Sequence, residues 1–172
     1  MASIITPRAP SPSPSPSSSS STTGWKYQVF LSFRGDDTRY SFTDHLCKEL
    51  RQKNILVFRD NEHLPRGGVI DSELMKAIKQ SQFAIIVLSE RYADSTSCLD
   101  ELDEINKCRE TTGITVFPVF YHVDPSDVKN LRGIFETELA RHVTVEVERI
   151  ENWKKALKEV SSLAGWECTR RM

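Results

Sequence analysis

The sequence predicts an α/β fold, a parallel sheet of four to five strands flanked by helices, and three observations predict it. Short apolar runs alternate with longer segments whose apolar residues recur at helical spacing. The strand-like runs are nearly continuous in apolar residues, which fits a sheet covered on both faces better than one with a wet side. The 172-residue chain, 38% hydrophobic and 27% charged, has the size and balance of one globular domain.

Residues 1–24 stand apart. Ser and Pro dominate them, they hold five of the eight prolines, and Arg8 is their one charge. Such a stretch buries too little apolar surface to offset its ordering entropy, so a disordered tail is expected. The Ser-rich, acid-free start faintly resembles a transit peptide, but a single basic residue fits a plain tail better. Residues 25–166 are read as the folded domain and 167–172 as a C-terminal tail.

Tyr27 to Phe33 reads as the first strand. Thr38 to Lys53 reads as a helix, with Phe42, Leu46 and Leu50 on one side. Ile55 to Phe58 follows as a strand, and Asp60 to Gly68 as a loop marked by Pro65, Gly67 and Gly68. Val69 to Gln80 is a helix with Leu74, Ala77 and Ile78 in register, then Gln82 to Leu88 a strand, Cys98 to Arg109 a helix, and Thr115 to Tyr121 a strand. Pro118 in that last run removes a ladder donor. Helices over Ser126–Arg141 and Ile150–Leu163 complete the set, with Val143 to Val147 a weak fifth strand. Four clear strands fit a small flavodoxin-like sheet.

Composition excludes several classes. A formal net charge of −1 gives no general pull toward nucleic acid or an anionic membrane. Cys47, Cys98, Cys108 and Cys168 are scattered without a CxxC pair, so reduced thiols are expected rather than a metal site or disulfide framework. The longest apolar run, Phe83 to Leu88, is far shorter than the roughly 18 residues of a membrane span. No signal-peptide core is visible. The expected location is cytoplasmic, with the nucleus as an alternative.

In an open parallel sheet a ligand binds beyond the carboxyl ends of the strands, where the strand order reverses. For the flavodoxin-like order, Arg34-Gly35-Asp36-Asp37 after the first strand and Ser89-Glu90-Arg91-Tyr92 after the third would face one crevice. The helix after the third strand holds an anomaly. At about 100° per residue, Cys98, Leu99, Leu102 and Ile105 form an apolar stripe opposite Asp100, Asp103, Glu104 and Lys107. Glu101 does not join the polar face but projects between Ile105 and Cys108. A carboxylate withdrawn from water is paired or used. Either function or a structural ion pair, for instance with Arg34, accounts for it.

The run YQVFLSFRGDDTR (Tyr27 to Arg39) is similar to the opening motif of the plant Toll/interleukin-receptor (TIR) family. So are FTDHL (Phe42 to Leu46), the FRD…LPRG segment (Phe58 to Gly67), the SxCLDEL segment (Ser95 to Leu102) and FPVFYHVDPSDV (Phe117 to Val128). Five motifs in order and spacing cover about residues 25–166. The resemblance implies self-association through TIR–TIR contacts, with copies of itself and with other TIR domains. It also implies NAD⁺ hydrolase activity in plant immune signalling, with nucleotide signals and cell death as the output. The family's essential glutamate matches Glu101. The loop from Asp60 to Gly68 resembles a mobile loop that gates the site and touches a neighbouring subunit, which makes Asp60 and Leu64 substrate-binding candidates. Phe33, Arg34 and Gly35 match positions lining the nucleotide cleft, and His45 matches a histidine of a self-association surface. One departure stands out: where the family usually has tryptophan four residues before the glutamate, a stacking surface near nicotinamide, this chain has Ser97.

The implied chemistry needs one carboxylate. Ordinary glycosidases use two because the leaving group must be protonated. Nicotinamide in NAD⁺ is cationic and departs neutral, so what remains is to stabilise positive charge growing on the ribose. Glu101 is assigned that role. Arg34 is a candidate for holding a phosphate or the adenosine portion, unless it is tied to Asp36, Asp37 or Asp60. Phe33 either stacks on a ring or closes the core. No GxGxxG follows the first strand, so NAD⁺ is expected as a consumed substrate, with NADP⁺ a further one, and no cofactor or metal is expected. The alternative is a non-catalytic scaffold that signals through homotypic contacts. A phospho-receiver reading of the same fold fits poorly, because Ser89 and Glu90 stand where an aspartate would accept phosphate.

Overall fold

The computed structural model describes residues 25–38, 41–59 and 72–169. Within them five parallel strands, β1 (Tyr27–Phe33), β2 (Val57–Arg59), β3 (Ser81–Leu88), β4 (Thr115–Tyr121) and β5 (Trp166–Cys168), form one sheet in the order β2-β1-β3-β4-β5. The helices are α1 (Gly35–Thr38), α2 (Phe42–Gln52), α3 (Ser72–Lys79), α4 (Thr96–Thr111), α5 (Pro125–Lys129), α6 (Ile134–Ala140) and α7 (Val147–Ser161), and a 3-10 turn spans Tyr92–Asp94. The order reverses between β1 and β3, the expected switch point.

Three sequence expectations are corrected. The fifth strand is Trp166–Cys168, not 143–147. Val143 and Val147 are 83% and 75% exposed while Val145 packs partly against the core, and among the described residues no strand pairs with this segment. The tail assigned from residue 167 therefore begins inside β5. The single helix over Ser126–Arg141 is two, because Leu131 and Gly133 adopt positive φ (53° and 62°) between α5 and α6; a helix does not run through left-handed residues. Pro118, by contrast, does not break β4. It pairs in register with Ile86, and β5 begins only opposite Val119, so the missing donor lies where the edge strand has barely started. Gly165 permits that approach: a Cβ there would stand 2.1 Å from the Pro118 carbonyl oxygen.

Side chains alternate across the sheet. One face carries Phe30, Ala84, Ile86, Leu88, Val116 and Phe120 against α3, α4, α5, α6 and α7, with Trp153 among the largest fully buried side chains. The other carries Leu31, Phe33 and Val87 against Cys47, Phe42 and Leu46 of α2. Each fully buried aliphatic or aromatic side chain contributes about 1.5–3 kcal/mol. Ser95 caps α4 by accepting from the Cys98 amide (3.1 Å). Asp124 caps α5, accepting from Ser126 at 2.8 Å, with Pro125 at the first helical position.

Candidate functional site

Glu101 leaves the polar face of α4 as its wheel position requires. It is 2% exposed and grouped with Cys98, Leu99, Leu102, Ile105 and Cys108 on the buried side. Below the sheet's carboxyl end its Oε1 accepts from the Ser32 hydroxyl at 2.8 Å. Ser32, fully buried in β1, lies 2.7 Å from the Tyr92 hydroxyl, which donates to the Cys98 carbonyl at 3.0 Å. The Cys98 thiol in turn reaches the Phe33 carbonyl at 3.3 Å. Burial pushes the Tyr92 phenol well above its usual range, and the neighbouring Cys98 and Glu101 add to the shift against an opposing bond from Ser32. Tyr92 is therefore a neutral donor across the ordinary pH range.

One turn before Glu101 on the same helix, Ser97 opens onto a cleft of about 320 Å³, lined also by Arg34, Asp94, Thr96, Arg141 and His142. Arg34 holds Asp36 (3.2 Å) and Asp94 (3.4 Å) through Nη2, while its buried Nε has no hydrogen-bond partner among the described residues. That buried nitrogen is left unsatisfied within the protein, while the part of the guanidinium toward the cleft is held by the two aspartates. His142 donates through Nε2 to the Ala93 carbonyl (2.8 Å) and meets Trp153 edge-on. Beneath it Asp100 binds Arg149 through both carboxylate oxygens and accepts from the Trp153 indole at 2.9 Å, tying α7 to α4. Beside the cleft Glu138 sits against Asp94. Burial first, then that neighbouring carboxylate, lifts Glu138 above the ordinary glutamate range, with Arg141 opposing. For Asp94 burial acts upward, but the bond with Glu138 and the charges of Arg34, Arg91 and His142 bring it below its ordinary value.

Of the sequence-predicted residues, the structure brings Arg34 and Ser97 into one cleft, with Glu101 a turn deeper. Gly35 starts α1 beside Arg34. The Phe33 side chain is 7% exposed and lies in the core on the opposite face, with Arg59 over its ring at 5.6 Å, so only its carbonyl looks toward α4. His45 is exposed on α2, on that same opposite face and apart from the cleft. Asp60 and Leu64 lie outside the described residues. The loops after β1 and β3 do meet: Asp37 accepts from the Ser89 hydroxyl (2.5 Å) and the Arg91 amide (2.8 Å). Sequence reading passed over Ser32, Asp94, Arg141 and His142, and it placed Tyr92 at the crevice, whereas the side chain is fully buried. Ser32 had a signal, a polar residue inside the apolar run FLSF. A larger cavity of about 510 Å³ between α6 and α7 is mainly aliphatic (Leu131, Leu139, Val145, Ile150) and holds none of the predicted residues. Among the described residues no His, Cys, Asp and Glu cluster suits a metal ion, and no helix is long and apolar enough to cross a membrane.

A profile of the TIR domain matches residues 26–171. The chain belongs to the TIR domain family. It is 48% identical over 166 residues to disease resistance protein RPV1 of Vitis rotundifolia, an alignment covering 96% of this chain and 12% of that protein. With TMV resistance protein N of Nicotiana glutinosa it shares 48% over 150 residues, 86% of this chain and 13% of that one. The chain thus spans a small part of the length of these relatives. Among solved structures, the TIR domains of the activated Roq1 resistosome, which directly recognizes the pathogen effector XopQ, superpose with a TM-score of 0.76. They share 42% identity over 83% of this chain and 87% of that one. The five-stranded TIR sheet and its flanking helices are therefore shared by a close relative, and the Glu101 cluster belongs to a TIR domain akin to those of plant resistance proteins.

Proposed function

We propose that this TIR domain is a plant immune-signalling module that self-associates and, once assembled, hydrolyses NAD⁺ to nicotinamide and ADP-ribose-type products. The observation that carries the reading is Glu101, a carboxylate 2% exposed, one helical turn from Ser97 in a cleft that Arg34 also lines. In so dry a setting a negative charge acts on a nearby cation far more strongly than in water. As the glycosidic bond breaks, its electron pair leaves with nicotinamide, which departs neutral. Positive charge grows at the ribose, where the Glu101 carboxylate offsets it. Water then adds its oxygen to the anomeric carbon and releases a proton. Arg34 suits a phosphate oxygen of the same substrate, NAD⁺ or NADP⁺ alike.

Assembly enters because the similar TIR domains of Roq1 belong to an activated resistosome. In this proposal Asp60 and Leu64, outside the described residues, are substrate-binding residues, and the exposed His45 helix is a contact surface between copies. The rival scaffold reading draws on Ser97, which supplies no ring for nicotinamide to stack on. The two part on one experiment: purified protein at high concentration is incubated with NAD⁺ beside Glu101→Ala, and nicotinamide is separated by chromatography. Release in the wild type and none in the variant is expected. Self-association of both proteins without any release would establish the scaffold.

A further inference from the structure

We infer that Ser32 and Tyr92 are positioning residues for Glu101, forming a relay of two hydroxyls that fixes the carboxylate for the reaction. The inference rests on the proposed NAD⁺ hydrolysis and adds to it two residues outside the cleft.

An ionised carboxylate accepts and cannot donate, so the 2.8 Å contact is a bond from the Ser32 hydroxyl to Glu101 Oε1. That uses the single Ser32 proton. The 2.7 Å contact between Ser32 and Tyr92 is then donated by Tyr92, whose single proton is shared with the Cys98 carbonyl, 3.0 Å from the same hydroxyl oxygen. With Glu101 ionised, as the proposed reaction requires, the order runs Tyr92 to Ser32 to Glu101, the Tyr92 proton being bifurcated between Ser32 and the Cys98 carbonyl. Each donor in such a chain polarises the next, and a bond that ends on an ion in a low dielectric is among the stronger ones.

The chain is also rigid. Ser32 and Tyr92 are both 0% exposed and come from three different supports with Glu101: strand β1, the 3-10 turn and helix α4. Ser32 sits between Leu31 and Phe33, both buried on the opposite face, so the strand cannot rotate to withdraw the hydroxyl. Tyr92 keeps its proton because burial raises its phenol well above the usual range. With one carboxylate oxygen held before substrate arrives, less reorientation is needed as charge grows on the ribose.

The test uses the full chain under assembling conditions and measures kcat, KM and Tm for wild type, Ser32→Ala, Ser32→Thr, Tyr92→Phe and Glu101→Ala. Losing one hydrogen bond to a charged group lowers kcat about tenfold or more in Ser32→Ala. KM should stay within about twofold of wild type, because the relay does not touch substrate. Ser32→Thr restores the hydroxyl and recovers most of kcat. Tyr92→Phe keeps the ring and loses about threefold, since it weakens the relay without removing its last bond. A role limited to folding would lower Tm in Ser32→Ala and leave the kcat of the folded fraction unchanged. That result overturns the inference while NAD⁺ hydrolysis stands. So does a Thr variant as slow as Ala at equal Tm. If Ser32→Ala fails to fold, Tyr92→Phe decides, and an unchanged kcat there overturns the relay. A wild type that releases no nicotinamide overturns the hydrolase reading and the relay together.

Discussion

The two faces of the sheet differ in depth. On one, Phe30, Ile86, Leu88 and Phe120 lie beneath helices that bring Leu99, Ile105, Trp153 and Leu157 to complete burial. On the other, among the described residues, α2 covers Leu31, Phe33 and Val87, and beyond it Phe83, Phe117 and Trp166 stack in a half-open ladder with centroids 5.9 and 5.6 Å apart. Trp166 at its outer end is 58% exposed. Ser32, Tyr92 and Glu101 belong to the deep face, and His45 to the shallow one. A charge meant to act on a cation needs a dry, fixed setting, whereas a residue meant to meet another molecule needs to stay accessible. On the proposed function, each lies on the face that suits it.

The largest test of this contrast is to hollow the deep face. Trp153→Ala should cost about 3–5 kcal/mol by urea denaturation, since the ring is fully buried and little can collapse into its place. Next comes the clasp between α4 and α7. Asp100→Ala leaves the Trp153 indole and Arg149 without their acceptor and should cost about 1–3 kcal/mol. A loss below the range of surface substitutions would mean that the deep face does not depend on it.

The contrast also explains what could be read from the sequence. The mostly apolar runs of β1 and β4 were legible to the residue, because an interior strand of a covered parallel sheet favours apolar residues on both of its faces. Glu101 was legible from the wheel, since a carboxylate on an apolar flank is visible in one helix alone. Its partners were not. Ser32 and Glu101 are 69 residues apart, and periodicity carries no information on which elements meet. The break between α5 and α6 depends on a positive φ at Leu131, which a leucine does not announce. β5, a Trp-Glu-Cys triplet, is too short for any pattern. Phe33 matched a cleft motif, yet its odd position on β1 directs the ring into the shallow face.

Within the cleft, Ser97→Trp should raise nicotinamide release about three- to tenfold, in line with the roughly 0.5–1.5 kcal/mol of an aromatic contact. An unchanged rate would show that the nicotinamide end of the substrate does not reach this turn of α4.

A subtler effect lies at the cleft edge. Glu138 is held above its ordinary value, so its contribution to stability is fully present below the unfolded pKa and is lost as pH rises through the folded one. Asp94, held below its ordinary value, acts oppositely: its contribution is present above the unfolded pKa and lost as pH falls through the folded one. Glu138→Gln removes the first effect and keeps a donor for Asp94. Its stability relative to wild type should therefore rise as pH climbs above the ordinary glutamate pKa of about 4.3, measured by thermal melts. A difference that is flat over that climb would contradict the assignment. Smallest of all, Trp166→Ala on the open ladder should change stability by less than about 1 kcal/mol, a fraction of the Trp153 loss. A comparable loss would mean that the shallow face is as tightly built as the deep one.

The most direct measurement for the central claim is nicotinamide release from NAD⁺ across a wide dilution series of the wild-type chain, with self-association followed in parallel. The account predicts that specific activity climbs with concentration, together with the assembled fraction, and that Glu101→Gln assembles equally well but stays silent. Assembly across the whole series without nicotinamide release, or a specific activity that stays flat while assembly changes, would contradict it.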